Sequence, residues 1–419
     1  MVSYAPADDP ISEGDGPLTV VWPDTQQTLL LRACVGSEPE AEQAWRKFVS
    51  RIGNTKLYFE RDLTGLKGLL PIIHSAARRN SFTLDKKMWT YLRSAALREE
   101  LRSGVYREIC RDILRAIVDK DIPVIALKAC ALADIAYETP AERHCHAIDL
   151  MVPRGMLDRA SDIVRALGFR PARMPEARAG GRQGFRHESG LPLVIHETLF
   201  DAPIYPGDVD VMWETSQPAT VAGVPVRVLA PTYNLLHVLT AAFLDRARGN
   251  LRWAIDAWLL IHRMEDSDWV ALQRYAQEGR LELPMLTMLR YMADALDAPI
   301  PEFLFTQLSI SAQQTRRPGR EAALSGAIIG LSALREAWSR RIGTADARRE
   351  LIRFLLLPSS IYLRWSYGTT ARASLPLFYA YRPLSFLMER LWWRASRLPG
   401  LNRFTRYRKV AAELEKLRA

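Results

Sequence analysis

Three charged side chains sit among apolar residues in one short stretch, IPVIALKACALADIAYETPAERHCHAIDLMVP over 122–153: Lys128, Arg143 and Asp149. An ionised group with apolar flanks is costly to bury unless it is paired or metal-bound, so these three are expected to meet. Arginine suits bidentate contact with phosphate, and lysine acts on it as a point charge. A fourth candidate is His196, near the end of LPLVIHE over 191–197, which could orient a ligand or act as a base.

The elements that must position these groups read as strand, sharp turn, short helix, loop, strand. Val124, Ile125, Ala126 and Leu127 form an apolar run with β-branched members, and Lys128 stands where that strand ends. From His146 to Val152 the residues alternate. His146, Ile148, Leu150 and Val152 face one way, and Ala147, Asp149 and Met151 face the other. In the third strand Leu191, Leu193 and Ile195 oppose Pro192, Val194 and His196.

The order Leu127-Lys128-Ala129, then Arg143, then Ile148-Asp149-Leu150-Met151-Val152 resembles the signature of the bacterial uncharacterised nucleotidyltransferase family, which usually reads LKG, R, DIDLLV. His196 matches the His of that family's vDLHW motif. The segments around His237 and Asp256, PTYNLLHVLTAAFLD and LRWAIDAWLL, are similar to its closing helices. The resemblance implies a nucleotidyltransferase-like α/β (α+β) fold, a small mixed sheet flanked by N- and C-terminal helical layers. It also implies a nucleoside triphosphate substrate and Mg²⁺ held by strand carboxylates, because a metal there bridges phosphate oxygens and aligns the attacking hydroxyl. In that frame Asp149 and His196 are the catalytic candidates, Asp149 the metal ligand, and Lys128 and Arg143 the phosphate-binding pair. The departures are specific. Ala129 stands for the family's Gly, Ala147 for the first carboxylate of the DxD pair, and Val194 for a third acid. A metal site could then be completed only by another acid such as Glu142 or Glu197.

The chain has 419 residues, 48% of them hydrophobic, enough for a sizeable core. Its first twenty residues are polar and acidic, with neither the basic start nor the apolar run of a signal peptide, so a cytoplasmic protein is expected. Cys34, Cys110, Cys130 and Cys145 lack CxxC spacing and read as reduced packing residues. The formal charge of +10 and pI near 9.5 favour a polyanionic partner, which could be a nucleotide, a nucleic acid or an anionic lipid surface. No recognition-helix or aromatic RNA-binding motif supports nucleic acid.

Five regions follow in order: a polar head at 1–24, helices over 25–120, the α/β core at 121–230, helices over 231–350, and a basic aromatic tail at 351–419. Asp85 offers an N-cap to a long helix whose later part places Tyr106, Ile109, Ile113 and Ile117 beside the first strand. A helix from Arg154 to Leu167 ends at Gly168, and Arg173 to Gly184, rich in Arg, Gly and Pro, reads as a loop beside the site or a solvated hairpin tip. Asp256 lies in an apolar helix, where it could pair with Arg252 or with His237; both His237 and Asp256 are read as structural polar residues. His144 and His146 would share a strand face, yet no third or fourth metal ligand stands near them. In the tail, the segment 380–409 mixes apolar residues at helical spacing with arginines, which suits either an interfacial helix on anionic lipid or a helix closing the core.

Nucleic-acid or transfer-RNA modification, resting on charge and superfamily analogy only, is the third of the functions weighed, and two stand ahead of it. One is a transferase moving a nucleotidyl or related phosphate-linked group to a small molecule, peptide or polysaccharide precursor in a biosynthetic pathway. The other is a catalytically degenerate member of the fold that binds a ligand or partner.

Overall fold

The computed structural model describes residues 22–61, 66–172, 181–199, 209–244, 251–279 and 281–314, with 376–377 and 379–380. The expectations for the head up to residue 21, for the loop at 173–180, for 315–350 and for nearly all of the tail lie outside the described residues.

Among the described residues five α-helices precede the sheet: α1 (Thr25–Val35), α2 (Glu40–Ile52), α3 (Thr55–Arg61), α4 (Leu70–Arg79) and α5 (Lys86–Val118). Three more, α6 (Lys128–Ile135), α7 (Leu157–Ala166) and α8 (Val209–Thr215), lie between strands. After the sheet the described residues include α9 (Pro231–Leu244), α10 (Arg252–Ile261), α11 (Asp266–Gly279), α12 (Glu282–Leu296) and α13 (Glu302–Gln314). The strands are β1 (Ile125–Leu127), β2 (Ile148–Met151), β3 (Arg170–Pro171), β4 (Arg182–Arg186), β5 (Pro192–His196), β6 (Gln217–Val221) and β7 (Val224–Val228). They form one mixed sheet in the order β3-β4-β5-β2-β1-β7-β6. At its centre β2 runs antiparallel to β1 and parallel to β5, with Asp149 opposite both Leu127 and Val194.

The alternation read from β2 and β5 divides the molecule into layers. Ile148, Leu150, Val152, Leu193 and Ile195 pack with Val124 and Ala126 against Tyr106, Ile113 and Ile117 of α5 and Ala160 and Val164 of α7. Ile125, Leu127 and Met151 point the other way, into a larger core built from α1, α2, α4 and α9 to α13. The two ends of the described chain thus share one layer. The Trp22 indole donates to the Thr287 carbonyl at 3.0 Å, and Arg32 of α1 donates to the Ala295 carbonyl at 2.6 Å.

Local signals explain several boundaries. Asp85 caps α5 by accepting from the Met88 amide at 2.7 Å, as its position predicts. Gly168, at φ +86°, ends α7 in a left-handed turn whose amide bonds back to Arg165. Ala222 and Gly223, at φ +50° and +81°, turn β6 into β7. Three readings need correction. His146 precedes β2 instead of belonging to it, residues 182–184 of the expected loop are strand, and β6 was not foreseen.

Candidate functional site

Lys128 reaches its position through an unusual backbone. β1 ends at Leu127, and Lys128, the first residue of α6, takes φ +52°, a left-handed conformation that costs a non-glycine residue about 1–2 kcal/mol. This turn redirects the chain from the sheet into α6 within one residue, and it aims the lysine across β2. Its Nζ donates to Asp149 Oδ1 at 2.7 Å. His196, at the end of β5, lies on the same sheet face, and its Nε2 stands 3.0 Å from the same oxygen. The sequence expectation that Lys128, Asp149 and His196 share one place is met.

Burial tunes these groups. Asp149 is 7% exposed, and burial alone would raise its pKa. The Lys128 ammonium and the His196 hydrogen bond outweigh that effect and hold the carboxyl well below the usual range, so it is ionised at neutral pH. Burial lowers the pKa of His196, helped by the charges of Lys128 and Arg182, while the contact with Asp149 opposes the shift. A neutral imidazole that donates from Nε2 to the carboxylate satisfies both partners. His237 of α9, expected from the sequence to be a structural polar residue, is buried within reach of these charges. Burial, then Lys128 and His196, push its pKa down to about 3 against the pull of Asp149, so it too is neutral.

Arg143 is not part of this cluster. It forms a bidentate pair with Asp256 of α10, Nε to Oδ1 at 2.7 Å and Nη2 to Oδ2 at 2.6 Å, and the Tyr137 hydroxyl donates to Oδ1 at 2.6 Å. The expected meeting of Arg143 with Asp149 is therefore replaced by a clamp between the loop before β2 and α10. Asp256 takes Arg143 and Tyr137 in place of its expected partners, although its reading as a buried ion pair holds. Arg252 instead contacts the His144 carbonyl and the His146 ring. His144 Nδ1 lies 2.7 Å from Glu99, and its ring meets that of His146 edge-on, with centroids 4.5 Å apart.

The donor set around Asp149 does not fit Mg²⁺. That ion requires near-octahedral oxygen coordination at short distances. Here the one carboxylate directs Oδ1 to an ammonium and an imidazole, and its same-face neighbours are Ala147 and Val194, neither of which can coordinate a cation. The acids that might have compensated are engaged elsewhere. Glu142 accepts from the Ser75 hydroxyl at 2.6 Å, and Glu197 accepts from the Gly155 amide at 2.7 Å. Among the described residues no group of three or more His, Cys, Asp or Glu side chains could hold a metal ion.

A strand, a left-handed turn into a short helix, and an aspartate on the adjacent antiparallel strand thus meet at Lys128 and Asp149. The family model described as uncharacterised nucleotidyltransferase matches residues 63–297, more than half of the chain, and the protein belongs to that family. Among solved structures the chain is similar to one described as the solution structure of the antibiotic-resistance factor ANT(2'')-Ia. That match has 18% identity and a TM-score of 0.33, and covers 42% of this chain and 93% of that one, a likeness too loose to carry an argument. No curated protein matches the chain. Among the described residues no helix is long and apolar enough to cross a membrane.

Proposed function

We propose that this family member is a metal-independent binder of a phosphate-bearing ligand, a nucleotide in the first instance, and that its transfer chemistry is weak or lost. The observation that carries this reading is the Lys128–Asp149 contact of 2.7 Å, with Ala147 and Val194 where partner carboxylates would stand. The lysine supplies a fixed single positive charge at the carboxylate that would otherwise hold a divalent ion. An ammonium has three donors, and Asp149 takes one. With 42% of its side chain exposed, Lys128 remains accessible to an anion, and it stands at the N-terminus of α6, where backbone amides favour negative charge. Asp149 and His196 then hold the lysine in place instead of performing catalysis.

The transferase reading keeps the support of family membership, and the acceptor it would need, a small molecule, peptide or polysaccharide precursor, is left to experiment. The test is a calorimetric titration with nucleoside triphosphates, in EDTA and in Mg²⁺, together with an assay for nucleotidyl transfer. Binding is expected to be equal in the two buffers and about tenfold or more weaker in Lys128→Ala, the usual worth of a hydrogen bond to a charged group. Robust Mg²⁺-dependent transfer by the natural protein, abolished by Asp149→Asn, would instead make it an enzyme with a rebuilt site.

A further inference from the structure

The longest of the described helices, α5, turns two different faces to its surroundings. One face packs on the sheet and holds the loop that enters β2: the Tyr106 hydroxyl donates to the Ala147 carbonyl at 2.9 Å, and Arg102 donates to the Cys145 carbonyl at 2.6 Å. The other face carries Leu97, Leu101 and Val105, which are 51%, 76% and 57% exposed. Spaced four residues apart, they form one ridge about 12 Å long. Single aliphatic side chains on a surface are ordinary, whereas three in a row on one helix make a patch that marks an interaction site. Gly104 lies beside the ridge and is exposed, and a Cβ placed on it would meet nothing within 4 Å, so it leaves a shallow groove open next to Leu101 and Val105.

The charges on this face are ordered along the helix. Arg98 stands before Leu101, while Glu108 and Asp112 stand after it; all three are exposed, and none has an ion pair among the described residues. At about 100° per residue, Glu108 and Asp112 lie within about 20° of Leu101 round the helix, and Arg98 within about 60°. Glu100 is about 100° away, on the flank, and Arg115 is about 21 Å along the axis, beyond the ridge. A ridge with a cation at one end and acids at the other is complementary to itself when turned end for end. We propose that this face of α5 binds the same face of a second copy of the chain, antiparallel, about a two-fold axis near Leu101. A two-fold contact uses one patch on both copies. Leu101 of each copy then meets its equivalent, Leu97 of each lies against Val105 of the other, and each ridge seats in the groove at Gly104. Arg98 of each reaches towards Glu108 of the other across an offset of about 6 Å along the axis, which an arginine side chain spans. Parallel pairing would instead set arginine beside arginine and acid beside acid, and like charges across an interface are unfavourable. The chain's own basic segment 380–409 fits the face less well, because Arg98 repels it. The patch is small, so the dimer is weak and depends on concentration.

The experiment is sedimentation velocity on the full chain from about 1 to 300 μM, the range of a weak interface, for the natural protein, Leu101→Glu, Arg98→Glu and Arg98→Glu/Glu108→Arg. Every changed side chain is exposed and lies away from the face that holds the β2 loop, so the fold is kept. The natural protein is expected to dimerise within that range, and Leu101→Glu to weaken the dimer at least tenfold, as for a central contact. Arg98→Glu is expected to weaken it about tenfold, and the double variant to return to within about threefold of the natural protein, because the exchange restores opposite charges across the axis. Leu101→Cys adds a geometric check: the four natural cysteines are buried, and thiols near a two-fold axis meet, so a mild azo oxidant should convert this variant, and not the natural protein, to a covalent dimer. A dimer indifferent to Leu101→Glu, or to both charge variants, overturns the proposal. So does a natural protein that stays monomeric throughout. In that case a Leu101→Cys thiol shielded from iodoacetamide assigns the face to another segment of the same chain, and a reactive one leaves it uncovered.

Discussion

Two buried aspartates, each paired with a cation, differ in what surrounds the pair. Asp256 receives a bidentate arginine and a tyrosine hydroxyl, and the side chains of Arg143 and Asp256 are 11% and 3% exposed. Asp149 receives Lys128 and His196 on a single oxygen, and the lysine side chain is 42% exposed. The first pair is closed, with both carboxylate oxygens fixed and the cation enclosed. The second is open on its cationic side. Both sequence positions invite the same description, a charge in an apolar element, yet one is a clamp between layers and the other a place where a ligand can arrive. Exposure of the cation separates them.

The comparison breaks most visibly in stability. Asp256→Asn leaves the Arg143 guanidinium enclosed without a countercharge and is expected to cost about 3–5 kcal/mol. Asp149→Asn should cost nearer 1 kcal/mol, because Lys128 can turn towards water. Urea unfolding of both variants measures the difference, and equal losses would erase the distinction between clamp and site.

Acid sharpens the contrast. Neither Arg143 nor Tyr137 beside Asp256 is expected to change charge between pH 7 and 5, since the Asp256 carboxylate raises the pKa of Arg143 against its burial and burial raises that of Tyr137. The Asp149 cluster contains His196 and His237, both held neutral by burial, His237 with a pKa near 3. A histidine whose folded pKa lies below its unfolded value near 6.5 gives its full stability above 6.5. That stability is lost as pH falls, by up to about 1.4 kcal/mol per unit for each such group. His144 and His146 are lowered in the same way and add to the slope. His237→Gln should therefore reduce the stability lost between pH 7 and 5 by about 1–2 kcal/mol, read from urea midpoints at the two pH values. An unchanged slope would mean that His237 titrates alike in both states.

Much of the central sheet could be read in the sequence because one face of each strand is buried and the register is strict. The alternation in β2 and β5 sent Ile148, Leu150, Leu193 and Ile195 one way and Asp149 and His196 the other, which brought the lysine, aspartate and histidine together. Arg143 was misplaced for a physical reason. The acid expected for it, Asp149, lies six residues on in the sequence, whereas Asp256 lies 113 residues further on and is brought close by the packing of α10. Residues 182–184 read as loop because glycine and arginine weaken the pattern of a strand, and β4 is held by its pairing with β5, which sequence periodicity does not show. The φ of +52° at Lys128 was equally hidden, since the family's glycine falls one position later, where this chain has Ala129.

The central claim is that Lys128 occupies the role of a divalent ion at Asp149, and the most direct measurement is thermal unfolding across a Mg²⁺ titration for the natural protein and for Ala147→Asp/Val194→Asp. Restoring acids at two same-face positions beside Asp149 creates a set of like charges that repel without a cation and can share one when it is present. No saturable Mg²⁺ effect is expected on the natural protein. The double variant is expected to show a lower Tm in EDTA that recovers with Mg²⁺. A saturable rise in Tm for the natural protein, lost in Asp149→Asn, would contradict the central claim.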